Sequence, residues 1–233
     1  MSTALVALPV RPPFQLWLAS LGQAPHDEDI ATLSDAERAR AARFRFERDR
    51  RRYLAAHVAL RRVLARYVDM PPHALAYAEG PFGKPRLADH LPRCAFNMSH
   101  SDDVAVIALA PEGEIGVDVE VLHAMPDAEA LAGRNFTATE QQELAAAGTA
   151  RRDLAFLRGW TRKEACLKAI GSGLSITPET FEAGLAPVER DVTIPTPSSP
   201  ARVRVWTEPV DADLVCALAQ LVGPLPASLA ATS

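Results

Sequence analysis

The sequence predicts an α+β fold, and three observations carry that reading. Ser34-Asp35-Ala36-Glu37 and Thr137-Ala138-Thr139-Glu140 both have the form of a capping box, in which a hydroxyl and a carboxylate satisfy backbone amides at a helix start. Residues 49–68 set Leu54, Val58, Leu64 and Val68 at helical spacing, and a second long helix is expected over residues 152–170. Between them, residues 94–121 hold three short apolar runs separated by turn residues, the pattern of consecutive strands.

In chain order, residues 1–14 contain an apolar run that lacks a basic leader and is broken by Pro9, Pro12 and Pro13, so no signal peptide is expected. The helix after Ser34 is rich in Ala and Arg, and the next ends before Pro71-Pro72. Gly80, Pro81, Gly83 and Pro85 mark a loop. Residues 94–99 read as a strand, His100-Ser101-Asp102-Asp103 as a tight polar turn, and residues 104–109 as a nearly continuous apolar strand. In Ile115-Gly116-Val117-Asp118-Val119-Glu120-Val121 the apolar residues alternate with Gly116, Asp118 and Glu120. That period of two sets Asp118 and Glu120 about 7 Å apart on one strand face. The helix after Thr137 is expected to stop at Gly148, and the long one at Gly171 and Gly173. Residues 195–200 read as a loop, residues 203–206 and 214–222 as strands, and the Ala/Pro-containing tail as frayed.

With 233 residues, 48% of them hydrophobic, the chain can bury a substantial core without disulfides. Cys94, Cys166 and Cys216 are odd in number and lie in no metal-ligand spacing, so neither a disulfide framework nor a zinc site is indicated, and a reducing cytoplasm fits. No apolar run is long enough to span a bilayer, and no membrane partner is expected. Eleven arginines lie between residues 38 and 66. They describe a solvated helix face, a nucleic-acid surface or a site for phosphate groups; the net charge of −4 argues against nucleic acid. Of 25 basic residues only Lys84, Lys163 and Lys168 are lysine, which marks them as candidates for chemistry that needs a compact ammonium.

Asp118 and Glu120 are hard oxygen donors at a spacing that suits Mg²⁺, and Gly116 beside them leaves room for a ligand; taken alone, the pair also describes a polar sheet face. Glu164 and Lys168 lie four residues apart on one helix face, below Leu157 and Trp160. An exposed ion pair is the plain reading of that spacing. At the edge of a buried region, the carboxylate could bind metal or accept a proton, and the ammonium could neutralise a phosphate. Asn97, Ser99 and His100 end a strand with polar groups able to hold a phosphate. A Ser99–His100 nucleophile pair is disfavoured, because neighbours on a strand point to opposite faces.

Taken together, Gly83-Lys84-Pro85, Phe96-Asn97-Met98-Ser99-His100-Ser101, Gly116-Val117-Asp118-Val119-Glu120, Trp160-Thr161-Arg162-Lys163-Glu164-Ala165 with Lys168, and Gly171-Ser172-Gly173-Leu174 resemble the Sfp-type phosphopantetheinyl transferases in order and spacing. The similarity runs from about Ser34 to Leu174 and more loosely beyond. The resemblance implies transfer of the phosphopantetheine arm of coenzyme A to a serine of an apo acyl or peptidyl carrier protein, with release of 3′,5′-ADP. It implies that Asp118, Glu120 and Glu164 hold Mg²⁺ against the pyrophosphate, with Lys168 on the same group; for the base that takes the serine proton we expect Glu164, directly or through water. Gly83, Lys84, Pro85, Asn97, Ser99 and His100 would line the 3′-phosphoadenosine end, with Arg52 and Arg40 reaching its phosphate. A basic position of some relatives is Glu37 here. The family further implies a pseudo-twofold monomer of two subdomains, residues 1–111 and 112–233, each a long helix on a small, mainly antiparallel sheet, with coenzyme A between them.

Overall fold

A computed structural model describes residues 4–80, 83–172, 175–197 and 199–223. Its helices are α1 (Asp27–Ile30), α2 (Asp35–Ala41), α3 (Glu47–Val68), α4 (Ala128–Asn135), α5 (Ala138–Ala146) and α6 (Thr149–Ile170). The strands β1 (Leu5–Leu8), β2 (Gln15–Ser20), β5 (Ala95–Ser101) and β6 (Val104–Ala110) form one sheet in the order β1-β2-β6-β5. A second sheet holds β7 (Ile115–Val121), β8 (Arg190–Ile194), β9 (Ala201–Glu208) and β10 (Leu214–Leu221) in the order β7-β10-β9-β8. Every pairing in both is antiparallel. β3 (Tyr77–Glu79) and β4 (Pro85–Leu87) make a small separate hairpin.

Strand alternation decides how these layers stack. On β6, Ala105, Ile107 and Leu109 face a core shared with Ala55, Ala59, Val63 and Leu64 of α3. Val106, Ala108 and Ala110 face the other way, against Ile115, Val117 and Val119 of β7 and Cys216 and Leu218 of β10. The opposite face of the second sheet buries Ala217, Ala219, Val203 and Val205 against Ala165, Leu167 and Ala169 of α6. The order of layers is therefore helix, sheet, sheet, helix.

The same local device recurs in both halves. Ser34 and Glu37 form a complete capping box, and Glu37 goes on to pair with Arg61, which is 1% exposed. Arg61 also donates to the carbonyls of Pro72 (2.7 Å) and Leu75 (3.0 Å). Thr137 and Glu140 form the other box; Glu140 pairs with the fully buried Lys163 at 2.8 Å, and Lys163 donates to the carbonyls of Pro178 (2.7 Å) and Phe181 (2.5 Å). Arg61 lies fourteen residues after Glu47, the first residue of α3, and Lys163 fourteen after Thr149, the first of α6. Each clamp ties a short helix, a long helix and the segment that follows it. Glu37 therefore serves the fold.

The sequence places the long helices, both capping boxes and β7 well, and differs from the structure elsewhere. β5 continues through His100 and Ser101, because Ser101 pairs with Val104 and leaves Asp102 and Asp103 as the whole turn, Asp102 at φ 48°. Gly148, at φ 70°, follows the C-cap of α5 as expected and also stands directly before α6. The strands β1, β2, β3, β4 and β8 and the helices α1 and α4 were not anticipated: all are short, and Pro9, Pro12 and Pro13 lie between the first two strands. Pro81, Gly173, Leu174 and the tail beyond residue 223 lie outside the described residues. Among those described, no helix is long and apolar enough to cross a membrane.

Candidate active site

Edge strand β5 of the first sheet faces edge strand β7 of the second, and side chains rather than backbone pairing join them. Asn97, Ser99 and Ser101 alternate on one face of β5. Asn97 Oδ1 accepts from the Val117 amide at 2.9 Å, and Ser99 Oγ donates to Asp118 Oδ1 at 2.7 Å. Ser101 Oγ donates to Glu120 Oε2 at 2.6 Å and accepts from the Val121 amide at 3.3 Å. The N-terminal half thus holds both carboxylates of the C-terminal half.

Helix α6 brings the remaining groups. Gly116 is what lets it approach, since a Cβ there would lie 2.1 Å from the Ala165 carbonyl oxygen and 2.4 Å from the Ala169 nitrogen. Lys168 Nζ then donates to Asp118 Oδ1 at 2.6 Å and Ser99 Oγ at 2.9 Å. Burial pushes the Glu164 carboxyl above the ordinary carboxylate range, helped by the negative charge of Asp118 and, less, of Glu120, with Lys168 opposing. Burial likewise raises Glu120, although the Ser101 hydrogen bond holds it back. Three carboxylates therefore feel one another in a poorly hydrated site.

This donor set fits a hard divalent cation. Asp118 is 4% exposed and its Oδ2 is buried with no hydrogen-bond partner among the described residues, a costly vacancy that a cation would satisfy. A closed cage is not formed: no group of three or more His, Cys, Asp or Glu side chains among the described residues is arranged to hold a metal. The reason is visible in the bonding, where Lys168 and Ser99 occupy Asp118 Oδ1 and Ser101 occupies a Glu120 oxygen.

The three lysines separate by their donors. An ammonium carries three. Lys84 spends its own on Glu114 (2.7 Å) and on the carbonyls of Ile115 (2.9 Å) and Ala169 (3.2 Å), tying the β3–β4 hairpin to β7 and α6. Lys163 is saturated in its clamp. Among the described residues Lys168 makes two bonds, which leaves one donor open.

The residues expected at one adenosine end are divided. Asn97 and Ser99 turn toward β7, whereas His100 points to the opposite face of β5. There, partial burial and the charges of Lys168, Arg52 and His57 pull the imidazole below its usual pKa, Asp118 opposing. Arg52 Nε donates to Asp103 at 2.9 Å and its Nη2 to Asp102 at 3.3 Å, at the turn beside His100. Arg40 is exposed, its guanidinium 5.8 Å from the Tyr53 ring centroid. Lys84 meets β7 at Ile115 and Ser101 meets it at Glu120, about 17 Å apart along an extended strand. Gly83, at φ 78°, and Pro85 stand with Lys84 at the Ile115 end, where Lys84, Pro85, Phe96, Glu114, Ile170 and Gly171 line a cavity of about 60 Å³. The part played by Ser101 was missed in the sequence. The alternation of Asn97, Ser99 and Ser101 was the signal for it, hidden by reading Ser101 as turn.

Two family descriptions match the chain: residues 22–112 match "4′-phosphopantetheinyl transferase, N-terminal", and residues 114–219 match "4′-phosphopantetheinyl transferase superfamily". The protein slr0495 of Synechocystis is 40% identical over 162 residues, covering 69% of this chain and 66% of its own length. The 4′-phosphopantetheinyl transferase HetI of Nostoc is 38% identical over 178 residues, 75% of each chain. The 4′-phosphopantetheinyl transferase Sfp of Bacillus subtilis is 29% identical over 191 residues, 82% of this chain and 83% of its own. With its two sheets, its shared seam of carboxylates and these relatives, the chain belongs to the 4′-phosphopantetheinyl transferase superfamily and is an enzyme of the transferase class.

Proposed function

We propose that this chain transfers the phosphopantetheine arm of coenzyme A to a serine hydroxyl of an apo carrier protein, with 3′,5′-ADP as leaving group. The observation that carries the proposal is the meeting of Asp118, Glu120, Glu164 and Lys168 at the seam, with one Asp118 oxygen buried and without a hydrogen-bond partner among the described residues. In the reaction the serine oxygen bonds to the β-phosphorus, the pyrophosphate bridge breaks, and the serine proton must leave. Glu164, directly or through a water, accepts that proton. Lys168 directs its remaining donor at the departing phosphate, where negative charge grows. Asp118, Glu120 and Glu164 would hold Mg²⁺, which when bound neutralises phosphate charge and aligns the pyrophosphate. Ser99 and Ser101 fix the two strand carboxylates.

For the nucleotide, we assign His100, Arg52 and Arg40 to the 3′-phosphate, and the backbone of Gly83, Lys84 and Pro85 to one wall of the adenosine site. Asn97 and Ser99 support the seam instead. Coenzyme A then lies between a unit of residues 1–111 and a unit of residues 112–233, in a protein that acts as a monomer.

The test is incubation with purified apo carrier proteins, coenzyme A and Mg²⁺, followed by intact mass measurement. Gain of one phosphopantetheine mass on a serine is expected. No gain with acyl, peptidyl and aryl carriers alike would overturn the proposal.

A further inference from the structure

The loop that joins α2 to α3 breaks a local rule. Phe46 stands at the N-cap of α3 and offers no side-chain oxygen to the helix amides. Serine, threonine, aspartate and asparagine are the residues that stabilise this position. A phenylalanine here forgoes the cap, and it is not repaid by burial, since Phe46 is 57% exposed. Phe44, two residues earlier, is 38% exposed. They are two of only four large hydrophobic side chains exposed among the described residues. Departures from local consistency with no structural return mark functional surface.

The charge around them points the same way. Residues 43–52 carry six arginines against Glu47 and Asp49, in a chain whose net charge is −4. Arg43 has no ion pair among the described residues, and Arg45 has only the Phe46 ring, 5.5 Å from its guanidinium carbon. Among the described residues Arg48 meets only its neighbour Asp49, at 3.2 Å, and stays 64% exposed. The loop is held in place from below. Phe44 packs on Tyr53 at 5.3 Å, Tyr53 stacks on His57 at 4.0 Å, and His57 is bonded to Glu37 of the buried clamp. One turn along α3, Arg51 and Arg52 grip Asp103 in the β5–β6 turn, next to the Ser101 that holds Glu120.

We propose that Phe44, Phe46, Arg43, Arg45 and Arg48 form the docking surface for the protein substrate, and that the substrate presents an apolar patch ringed by carboxylates. The proposal rests on the transfer reaction above and adds where its macromolecular substrate lands. Exposed aromatic rings supply contact area at small entropic cost, and unpaired arginines steer an acidic partner and fix its orientation. The surface lies beside the Glu120 end of the seam, so a docked partner is close to the place where its hydroxyl must react.

The test uses the full chain with an acidic apo acyl carrier protein, and two substitutions that touch none of the groups assigned to coenzyme A or metal. Phe46→Ser supplies the missing N-cap oxygen, so its melting temperature should equal or exceed that of the unaltered chain. Its KM for the carrier should nevertheless rise about tenfold, with coenzyme A affinity by calorimetry unchanged. Arg45→Glu should raise the same KM at least as much. Salt should raise KM in the unaltered chain far more than in Arg45→Glu. A carrier KM within twofold of the original in both variants would overturn the proposal. So would a parallel loss of coenzyme A affinity, which would assign the loop to the nucleotide, or tight duplex DNA binding lost in Arg45→Glu with carrier kinetics intact. Absence of transfer by the unaltered chain would overturn the family reading and this surface together.

Discussion

The two long helices invite comparison residue by residue. Both have 22 residues, both end in a left-handed cap, at Asp69 and at Gly171, and both bury a cation at the same position in a carboxylate clamp. Immediately after those cations come Arg62 in α3 and Glu164 in α6; four residues further come Arg66 and Lys168. Arg62 is paired with Asp29 of α1, and Arg66 lies over the Trp17 ring at 5.3 Å. Glu164 and Lys168 face β7 and the seam instead. The neighbouring strand makes the difference. β7 offers Gly116 and admits α6 to backbone contact, whereas α3 has the bulk of Trp17 on β2 beside Arg66. On the function proposed above, one scaffold serves structure in one half and chemistry in the other, and what separates them is a few side chains on corresponding helix faces.

The most demanding test of that contrast is a matched pair of substitutions. Lys168→Ala should lower kcat by about 100-fold or more, the usual cost of removing a charge that meets the leaving group. Arg66→Ala, at the same helix position in the other half, should leave transfer within about twofold. Lys168→Arg should recover little, since a planar fork does not reproduce a compact ammonium shared by Asp118 and Ser99. Single-turnover measurements of carrier loading would decide; equal losses in the two alanine variants would erase the functional asymmetry.

The clamps, by contrast, should behave alike. Lys163→Met removes the cation from the buried Glu140 carboxylate and Arg61→Met removes it from Glu37, and each should cost about 3–5 kcal/mol of stability. Urea unfolding with coenzyme A absent measures both, and a loss in only one half would mean that the two clamps are not equivalent.

A smaller effect distinguishes the N-terminal clamp by pH. Burial would raise the Glu37 carboxyl, but the hydrogen bonds from His57, Arg61 and Ser34 outweigh it and bring its pKa to about 2. A carboxyl whose folded pKa lies below its unfolded value of 4.5 adds stability in full above about pH 4.5 and loses it as pH falls toward 2. Glu37→Gln should therefore cost about 1.5–3 kcal/mol at pH 7, the worth of hydrogen bonds to a charged group, and progressively less through that acid window. Unfolding midpoints at pH 7, 4.5 and 3 would show the convergence.

Much of this was legible because it is local. A capping box is four residues long, and the alternation in β7 is written in seven consecutive residues, so both were read directly. The i, i+4 pairing of Glu164 and Lys168 was equally plain, but that Lys168 would share Asp118 Oδ1 with Ser99 depends on contacts 50 and 69 residues away in sequence. Lys84 and Lys163 were singled out for their rarity, and rarity was not enough: both use a compact ammonium to tie backbone carbonyls together. Asn97 and Ser99 show the same limit. Their motif was recognised, yet which of two strand faces meets β7 is a tertiary fact.

The ladder of Asn97, Ser99 and Ser101 has a consequence apart from chemistry. β7 is an edge strand, and an edge with open amides is a template on which another chain can polymerise. Two of its amides, those of Val117 and Val121, are already occupied by side chains from β5. A main-chain strand could have capped them as well, but it would have extended the sheet and left a fresh edge beyond. Short polar side chains end the pairing. The residues that steady the two carboxylates therefore also guard the protein against assembling with itself, so a substitution such as Ser101→Ala should reveal itself in solubility as well as in turnover.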